Sequence, residues 1–238
     1  MRAVLVLLLA LAACDAPTIS GDAFDAIPLA PGISRAELTD DRGATVRLSL
    51  SVPAGLAAGE RVPLVLALHW AGEVTPYFGE TYLRVLAAPG FDEARAIVVA
   101  PDRIGGDWET AESRAFAMSL VRRALERWPV DPGRVVVTGY SMGGFGTWLY
   151  LEDYDEFAAG IPMAAVPLTD GGGRPTYVIH GTADELYAFQ TTQWAVESRQ
   201  RRGLPIVLAP AEGLGHTEPA AYVPALRAAA RWLATDVW

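Results

Sequence analysis

Arg134-Val135-Val136-Val137-Thr138-Gly139-Tyr140-Ser141-Met142-Gly143-Gly144-Phe145-Gly146-Thr147-Trp148 is the stretch that decides the fold. A β-branched apolar run enters Gly-x-Ser-x-Gly directly, and the residues beyond it, through Leu149, Tyr150 and Leu151, read as a helix. The order is strand, tight turn, helix. A serine at such a turn sits in a strained backbone conformation that pushes its hydroxyl out of the fold. Residues two places away on either side must lack side chains, or they would collide with the helix and the next strand. Gly139 and Gly143 meet that demand. The turn also aims the N–H of the next residue, Met142, at the place where a carbonyl oxygen would become negative. Ser141 is therefore the candidate nucleophile. A glycine-rich turn of this kind can also hold a phosphate. The dinucleotide pattern, however, wants a third glycine where Leu149 stands, and a phosphate loop of the Walker type needs a lysine. The chain has none, since all 19 of its Lys+Arg residues are arginine.

The lack of lysine also excludes Schiff-base chemistry, including that of pyridoxal phosphate. A formal charge of −9 argues against nucleic acid or an anionic membrane surface as the main partner, because both need a basic footprint. With 238 residues, 51% of them hydrophobic, the chain can bury one full core, so a single α/β domain is expected.

Upstream of the quoted stretch, Ala44 to Val52 alternates apolar and polar residues and reads as a half-exposed strand near the sheet edge, with another near Arg35 to Leu38. Leu64 to Leu68 is a continuous apolar run, the mark of a strand buried on both faces, and it delivers His69-Trp70-Ala71-Gly72 at its carboxyl end. Helical signals are weak until Tyr82 to Ala88. Ala96 to Ala100 is the next buried strand, and Glu109 to Trp128 has the apolar spacing of a long helix. Downstream, Ala159 to Val166 and Thr176 to His180 read as strands, although Pro162 sits awkwardly in the first. Glu185 to Arg202 reads as a helix and Pro205 to Ala209 as the last strand. Pro219 to Leu233 reads as a closing helix with a kink allowed at Pro224. Alternating strands and helices imply a mainly parallel sheet covered on both faces.

The N-terminus carries a different message. Met1-Arg2 and the apolar run Ala3 to Ala13 are too short to span a bilayer and fit the apolar region of a signal peptide. The run ends in Leu11-Ala12-Ala13-Cys14, which resembles the lipobox of bacterial lipoproteins. That resemblance implies a signal peptide over 1–13, lipidation of Cys14 and an extracytoplasmic, membrane-anchored location, with the lipid as the only membrane contact; an ordinary secretory signal with an incidental cysteine, and so a secreted protein, is the alternative. Cys14 is the single cysteine, so no disulfide framework accounts for it. Residues 14–32 mix Pro, Gly, Asp, Ser and Ala without period and are expected to form a flexible tether to a domain over 33–238.

In a parallel sheet ligands gather at the carboxyl ends of strands, and here those ends carry His69-Trp70, Ser141, Asp184 and His216. The order Ser, acid, His is that of α/β-hydrolases. From about Leu64 to Leu233 the chain resembles that superfamily, on four matches: Gly139 to Trp148, Glu156-Phe157-Ala158-Ala159, His180-Gly-Thr-Ala-Asp184 and Glu212-Gly-Leu-Gly-His216. More closely it resembles the small esterase branch that includes phospholipase/carboxylesterases, polyhydroxybutyrate-depolymerase-like esterases and predicted peptidases. The resemblance implies Asp184 as the acid and His216 as the base, with Asp102 and Asp170 as rivals at less suitable strand ends. An imidazole is needed to take the serine proton, and a carboxylate to fix its tautomer. His180 is expected to shape the turn that presents the acid. His69-Trp70 replaces the family's common His-Gly, so the second oxyanion donor beside Met142 is the N–H of Trp70 or of Ala71. No metal-ligand spacing occurs among the three histidines, and neither metal nor cofactor is expected. Val166 to Pro175 leaves about ten residues where lipases of the superfamily carry a lid, so no large lid is expected. Trp70, Trp108 and Tyr187, with Tyr77 and Phe78, are candidate walls of an open substrate cleft. Such a cleft suits short acyl or aryl esters, or the end of a polymer. A peptidase with the same triad and a non-catalytic scaffold are the alternatives.

Overall fold

The computed structural model describes residues 17–238. Its strands are β1 (Gly32–Thr39), β2 (Thr45–Val52), β3 (Val62–Leu68), β4 (Ile97–Pro101), β5 (Val130–Tyr140), β6 (Ala159–Met163), β7 (Thr176–Gly181) and β8 (Ile206–Ala211). They form one sheet in the order β1-β2-β4-β3-β5-β6-β7-β8. β2 is antiparallel to both of its neighbours, and β3 through β8 run parallel.

β3, β4 and β6 are buried at every position, which is why they appear in the sequence as unbroken apolar runs rather than alternations. Their alternate residues feed two cores. Leu64, Leu66 and Leu68 face helices α1 (Gly21–Asp25), α4 (Ala111–Arg127) and α5 (Met142–Asp153), where Phe24, Phe116, Leu120 and Leu151 pack. Val65 and Ala67 face α2 (Gly79–Tyr82), α3 (Ala88–Phe91) and α7 (Val223–Trp232), where Tyr82, Phe91 and Leu226 pack. Helix α6 (Phe189–Arg201) covers Val178 and Trp148 through Val196. Ala164 to Pro175 is the short connection between β6 and β7. This is the α/β-hydrolase fold, without a large lid.

Helix α6 opens at Phe189 rather than Glu185 and β6 closes at Met163 rather than Val166; beyond such shifts at element ends, three places differ from expectation. A π-type turn over Leu83–Ala87 joins α2 to α3, so the helical stretch begins three residues before Tyr82 and continues to Phe91. Pro224 does not kink the closing helix but sits in the first turn of α7, where no N–H is needed. The third difference is larger, because the expected tether is packed from its described start. Thr18 donates through N–H and Oγ1 to the two carboxylate oxygens of Asp41 (3.0 and 2.7 Å), and Ile19 bridges to Asp40. Phe24 is fully buried and stacks on Trp128 at 4.7 Å. A five-residue helix held by two or three apolar anchors leaves no period for a sequence reading to detect. The signal segment 1–13 and Cys14 lie outside the described residues. Among the described residues no helix is long and apolar enough to cross a membrane.

Because Phe24 fills a core site, Phe24→Ala is expected to lower the unfolding free energy by about 3 kcal/mol or more. Urea titration checks this; a surface tether at this position would leave the midpoint nearly unchanged.

Candidate active site

Ser141 joins β5 to α5 with φ of 55° and ψ of −116°, a conformation that costs on the order of 1–3 kcal/mol for a residue with a side chain. Two close approaches hold the turn in place. A Cβ on Gly139 would lie 2.1 Å from the Gly143 carbonyl oxygen, and one on Gly143 would lie 1.9 Å from that of Leu68. Both positions are therefore closed to every other residue, as the Gly-x-Ser-x-Gly spacing implies. The Ser141 N–H is occupied by Met163 O (3.0 Å), whereas Met142 opens α5 with its N–H at the positive end of the helix.

The hydroxyl is not isolated. Ser141 Oγ lies 2.8 Å from His216 Nε2, and His216 Nδ1 lies 2.8 Å from Asp184 Oδ2. Burial pushes the Asp184 carboxyl up, but the N–H groups of Tyr187 and Leu186 and the His216 ring pull it further down, so it is held below the ordinary carboxylate range. Those N–H groups reach its other oxygen, Oδ1, at 2.8 and 2.9 Å. An ionised carboxylate only accepts, so His216 carries its proton on Nδ1, and Nε2 is left to accept from the serine. The sign for stability follows: a depressed acid contributes fully above its unfolded value, and that contribution disappears as pH falls through the folded value.

The loop that carries His216 is fixed by groups the sequence did not single out. Tyr140 Oη donates to His216 O (2.7 Å) and Tyr222 Oη to Gly215 O (3.1 Å), while Glu185 accepts the His216 N–H (2.9 Å). Glu185 adjoins the acid and Tyr140 adjoins the nucleophile, so proximity in sequence was a usable signal for both. Tyr222 offered none.

The other two histidines are buried and neutral. His180 donates from Nε2 to Tyr187 O (2.8 Å) and stands 3.3 Å from Asp184 Oδ2; its Nδ1 accepts from Thr192 (2.8 Å). Burial drives its pKa down. It braces the acid turn, as expected. His69 is buried among Phe78 and Trp108, and burial takes its pKa down to about 4. Its Nδ1–H donates to Trp70 O (2.7 Å), so the protonated nitrogen is assigned by a partner that can only accept. The rival acids are otherwise engaged. Asp102 caps the Tyr77 and Gly79 N–H groups (2.7 and 2.9 Å), and Asp170 pairs with Arg202 (2.6 Å). Among the described residues no group of three or more His, Cys, Asp or Glu side chains is placed to hold a metal ion.

Beside Ser141 and His216 lies an open cleft of about 450 Å³, walled by Trp70, Ala71, Tyr140, Leu186, Thr217 and Pro219. Trp70 is thus placed as expected. Trp108 is not a wall: it is fully buried, and its indole N–H donates to His69 O (2.9 Å) beneath the loop. The indole packs against His69, which periodicity in a loop cannot reveal. Phe78 likewise packs under His69, and Tyr77 lies under the Arg35 guanidinium. Tyr187 does not line the cleft but sets its ring edge-on to His216 at 5.3 Å and to Phe145 at 5.1 Å. Leu186, Thr217 and Pro219 are cleft residues that the sequence reading missed, although each is within three residues of the acid or the base.

No protein-family model matches the chain, and no curated protein sequence matches it. Solved structures do share its fold. A thermostable esterase superposes with a TM-score of 0.70 at 23% identity over 85% of this chain, which spans only 62% of that esterase's length. The fluorophosphonate-binding serine hydrolase FphF of Staphylococcus aureus gives 0.71 at 16% identity, covering 87% of this chain and all of the other. The acylaminoacyl peptidase of Pyrococcus horikoshii gives 0.66 at 13% identity over 87% of this chain and 42% of its own.

The serine–imidazole–carboxylate line predicts that Asp184→Asn, which keeps the shape but can hold His216 in the wrong tautomer, lowers kcat for hydrolysis by about 10⁴. Steady-state kinetics on protein with unchanged circular dichroism checks it.

Proposed function

We propose that the protein is a serine hydrolase of carboxylic esters. The observation that carries this reading is the unbroken hydrogen-bonded line from Ser141 Oγ through both nitrogens of His216 to Asp184, ending in an open cleft. Ser141 Oγ attacks the acyl carbon while its proton passes to His216 Nε2. The carbonyl oxygen, now negative, is met by the N–H of Met142 and by that of Trp70 or Ala71. The C–O bond to the leaving group then breaks, and the leaving oxygen takes the proton from Nε2. Water, deprotonated by His216, opens the acyl-enzyme and restores the serine. None of these steps needs a cofactor.

The surroundings narrow the substrate. The leaving oxygen must approach His216 Nε2, so the leaving group runs along the loop that carries Thr217 and Pro219. Glu185 and Glu218 accept from the N–H groups of His216 and Gly215 on that same loop (2.9 and 3.4 Å). The four loops after β3, β4, β7 and β8 together hold eight carboxylates and a single arginine. Neutral or cationic leaving groups suit this field, and anionic ones oppose it. An exposed rim and a cleft of this size favour short acyl or aryl esters, or a polymer end, over long triglycerides. A peptidase acting through the same triad remains the second reading, supported by the fold shared with an acylaminoacyl peptidase.

An ester panel tests both. Wild type is expected to hydrolyse p-nitrophenyl butyrate far faster than the matching anilide, and Ser141→Ala to lose activity by several orders of magnitude while staying folded. Among acetates of matched neutral, cationic and anionic phenols, normalised for intrinsic reactivity, the anionic one should fall about five-fold behind, the scale of about 1 kcal/mol between charges at partly screened separation. Equal turnover by Ser141→Ala, or anilide turnover equal to the ester's, overturns the esterase reading.

The N-terminal segment supports an extracytoplasmic protein held to a bacterial membrane by lipid on Cys14. Full-length protein expressed in a bacterial host is then expected to partition into detergent, and Cys14→Ala to move it to the aqueous phase; detergent partition of both forms alike removes the anchor.

A further inference from the structure

Arg103 stands alone as a cation in the loops around the cleft, with eight carboxylates for company, yet among the described residues it forms no ion pair. Its guanidinium is committed to backbone instead. Nη2 donates to Gly72 O at 2.6 Å, Nη1 donates to Gly106 O, and the Arg103 N–H faces His69 Nε2 at 3.4 Å. The residue thus touches both ends of the irregular segment His69 to Gly72, which borders Ser141 across the cleft.

We infer that Arg103 is a positioning residue for the oxyanion hole, fixing the His69–Gly72 loop so that the Ala71 N–H, rather than that of Trp70, joins Met142 as the second donor. This rests on the serine-hydrolase reading.

The direction of each N–H follows from where the preceding carbonyl is held, because C=O and N–H of a trans peptide point opposite ways. His69 O accepts from the Trp108 indole and lies on the side of α5: a Cβ on Gly143 of that helix would come within 2.9 Å of it. The Trp70 N–H accordingly points away from the helix whose first N–H is the other donor. Trp70 O is drawn onto the buried His69 ring, which turns the Ala71 N–H to the opposite side, where Ala71 borders the cleft. Gly72 O, the last carbonyl of the segment, is the one Arg103 holds. Without that contact the segment keeps only its anchors at residues 69 and 70, and the peptide that carries the Ala71 N–H, held by one hydrogen bond at Trp70 O, loses the brace on its Gly72 side. A planar fork that spans two carbonyls on two loops is a task that a single ammonium cannot reproduce.

The alternative is that Arg103 only ties two surface loops together. Kinetics separate the two roles, since an oxyanion donor acts on the transition state and not on the bound ester. With p-nitrophenyl butyrate, Arg103→Ala is expected to lose between ten- and a hundred-fold in kcat, with KM within about three-fold of wild type. Affinity for a trifluoromethyl ketone, which forms the tetrahedral adduct on the serine, should fall by the same factor, and Arg103→Lys should recover only part of the loss. A folded Arg103→Ala protein with kcat within two-fold of wild type overturns the inference. So does a drop in melting temperature without a change in adduct affinity. If Arg103→Ala does not fold, Arg103→Lys decides, and wild-type kcat and adduct affinity in that variant count against the inference. Wild type that neither turns over ester nor takes a fluorophosphonate label instead removes the hydrolase reading itself.

Discussion

The left-handed backbone at Ser141 is the constraint on which the site depends. A residue with a side chain is held at a φ of 55° only because the chain on either side has no other course. β5 is locked between β3 and β6, and α5 lies so close over the end of β3 that a methyl group on Gly143 would overlap Leu68 O. Sheet and helix thereby supply the strain energy, on the order of 1–3 kcal/mol, and what they obtain is a hydroxyl presented at the end of β5 with the N-terminus of α5 at the very next residue. Packing against the sheet and reactivity are the same feature seen from two sides.

That turn positions only Ser141 of the three hydrogen-bonded residues. The other two come from loops after β7 and β8, adjacent strands whose parallel register places Gly181 opposite Ala211. Loops are the least determined parts of a fold, so each is secured by groups that cannot be exchanged freely. The acid turn closes on Asp184 Oδ1 through two N–H groups and is backed by His180, and the histidine loop hangs from two tyrosine hydroxyls and one carboxylate. Tyr140 ties the histidine loop to the sheet, since it ends β5 beside Ser141 while its hydroxyl reaches His216 O. A displacement of the sheet is thus transmitted to His216 and not only to Ser141.

How much of this was legible in the sequence follows from the range of each interaction. The strand–turn–helix around Ser141, the fully buried strands and the long helix α4 are dictated locally, by β-branched runs, glycine spacing and apolar period, and they appear where the residues put them. The pairing of Asp184 and His216 with Ser141 needed strand order, which the sequence conveyed only through resemblance. Trp108 and Phe24 show where reading stops. Both are aromatic residues in stretches without period, and nothing local distinguishes a ring that faces a substrate from one that lies under a loop or seals a core against Trp128. The clamps from Tyr222 and Arg103 end on backbone atoms, and backbone partners leave no imprint in composition.

Electrostatics gives the fixed backbone of the site its meaning. Eight carboxylates in the loops around the cleft make the developing oxyanion more costly than it would be on a neutral surface, by an amount that grows as water is displaced by substrate. An imidazolium at His216, 2.8 Å from Ser141 Oγ, offsets part of that term. The N–H dipoles that face the oxygen directly supply the rest, and their effect falls steeply with distance and misalignment. A strongly acidic hydrolase therefore has more need of a rigid oxyanion loop than a neutral one. The His69–Gly72 segment meets that need: its carbonyls at 69, 70 and 72 are each held by an indole, an imidazole or a guanidinium. In this account the single arginine of the region stabilises the transition state most effectively by holding a peptide still, and a direct ion pair with one of its acidic neighbours would relinquish that role.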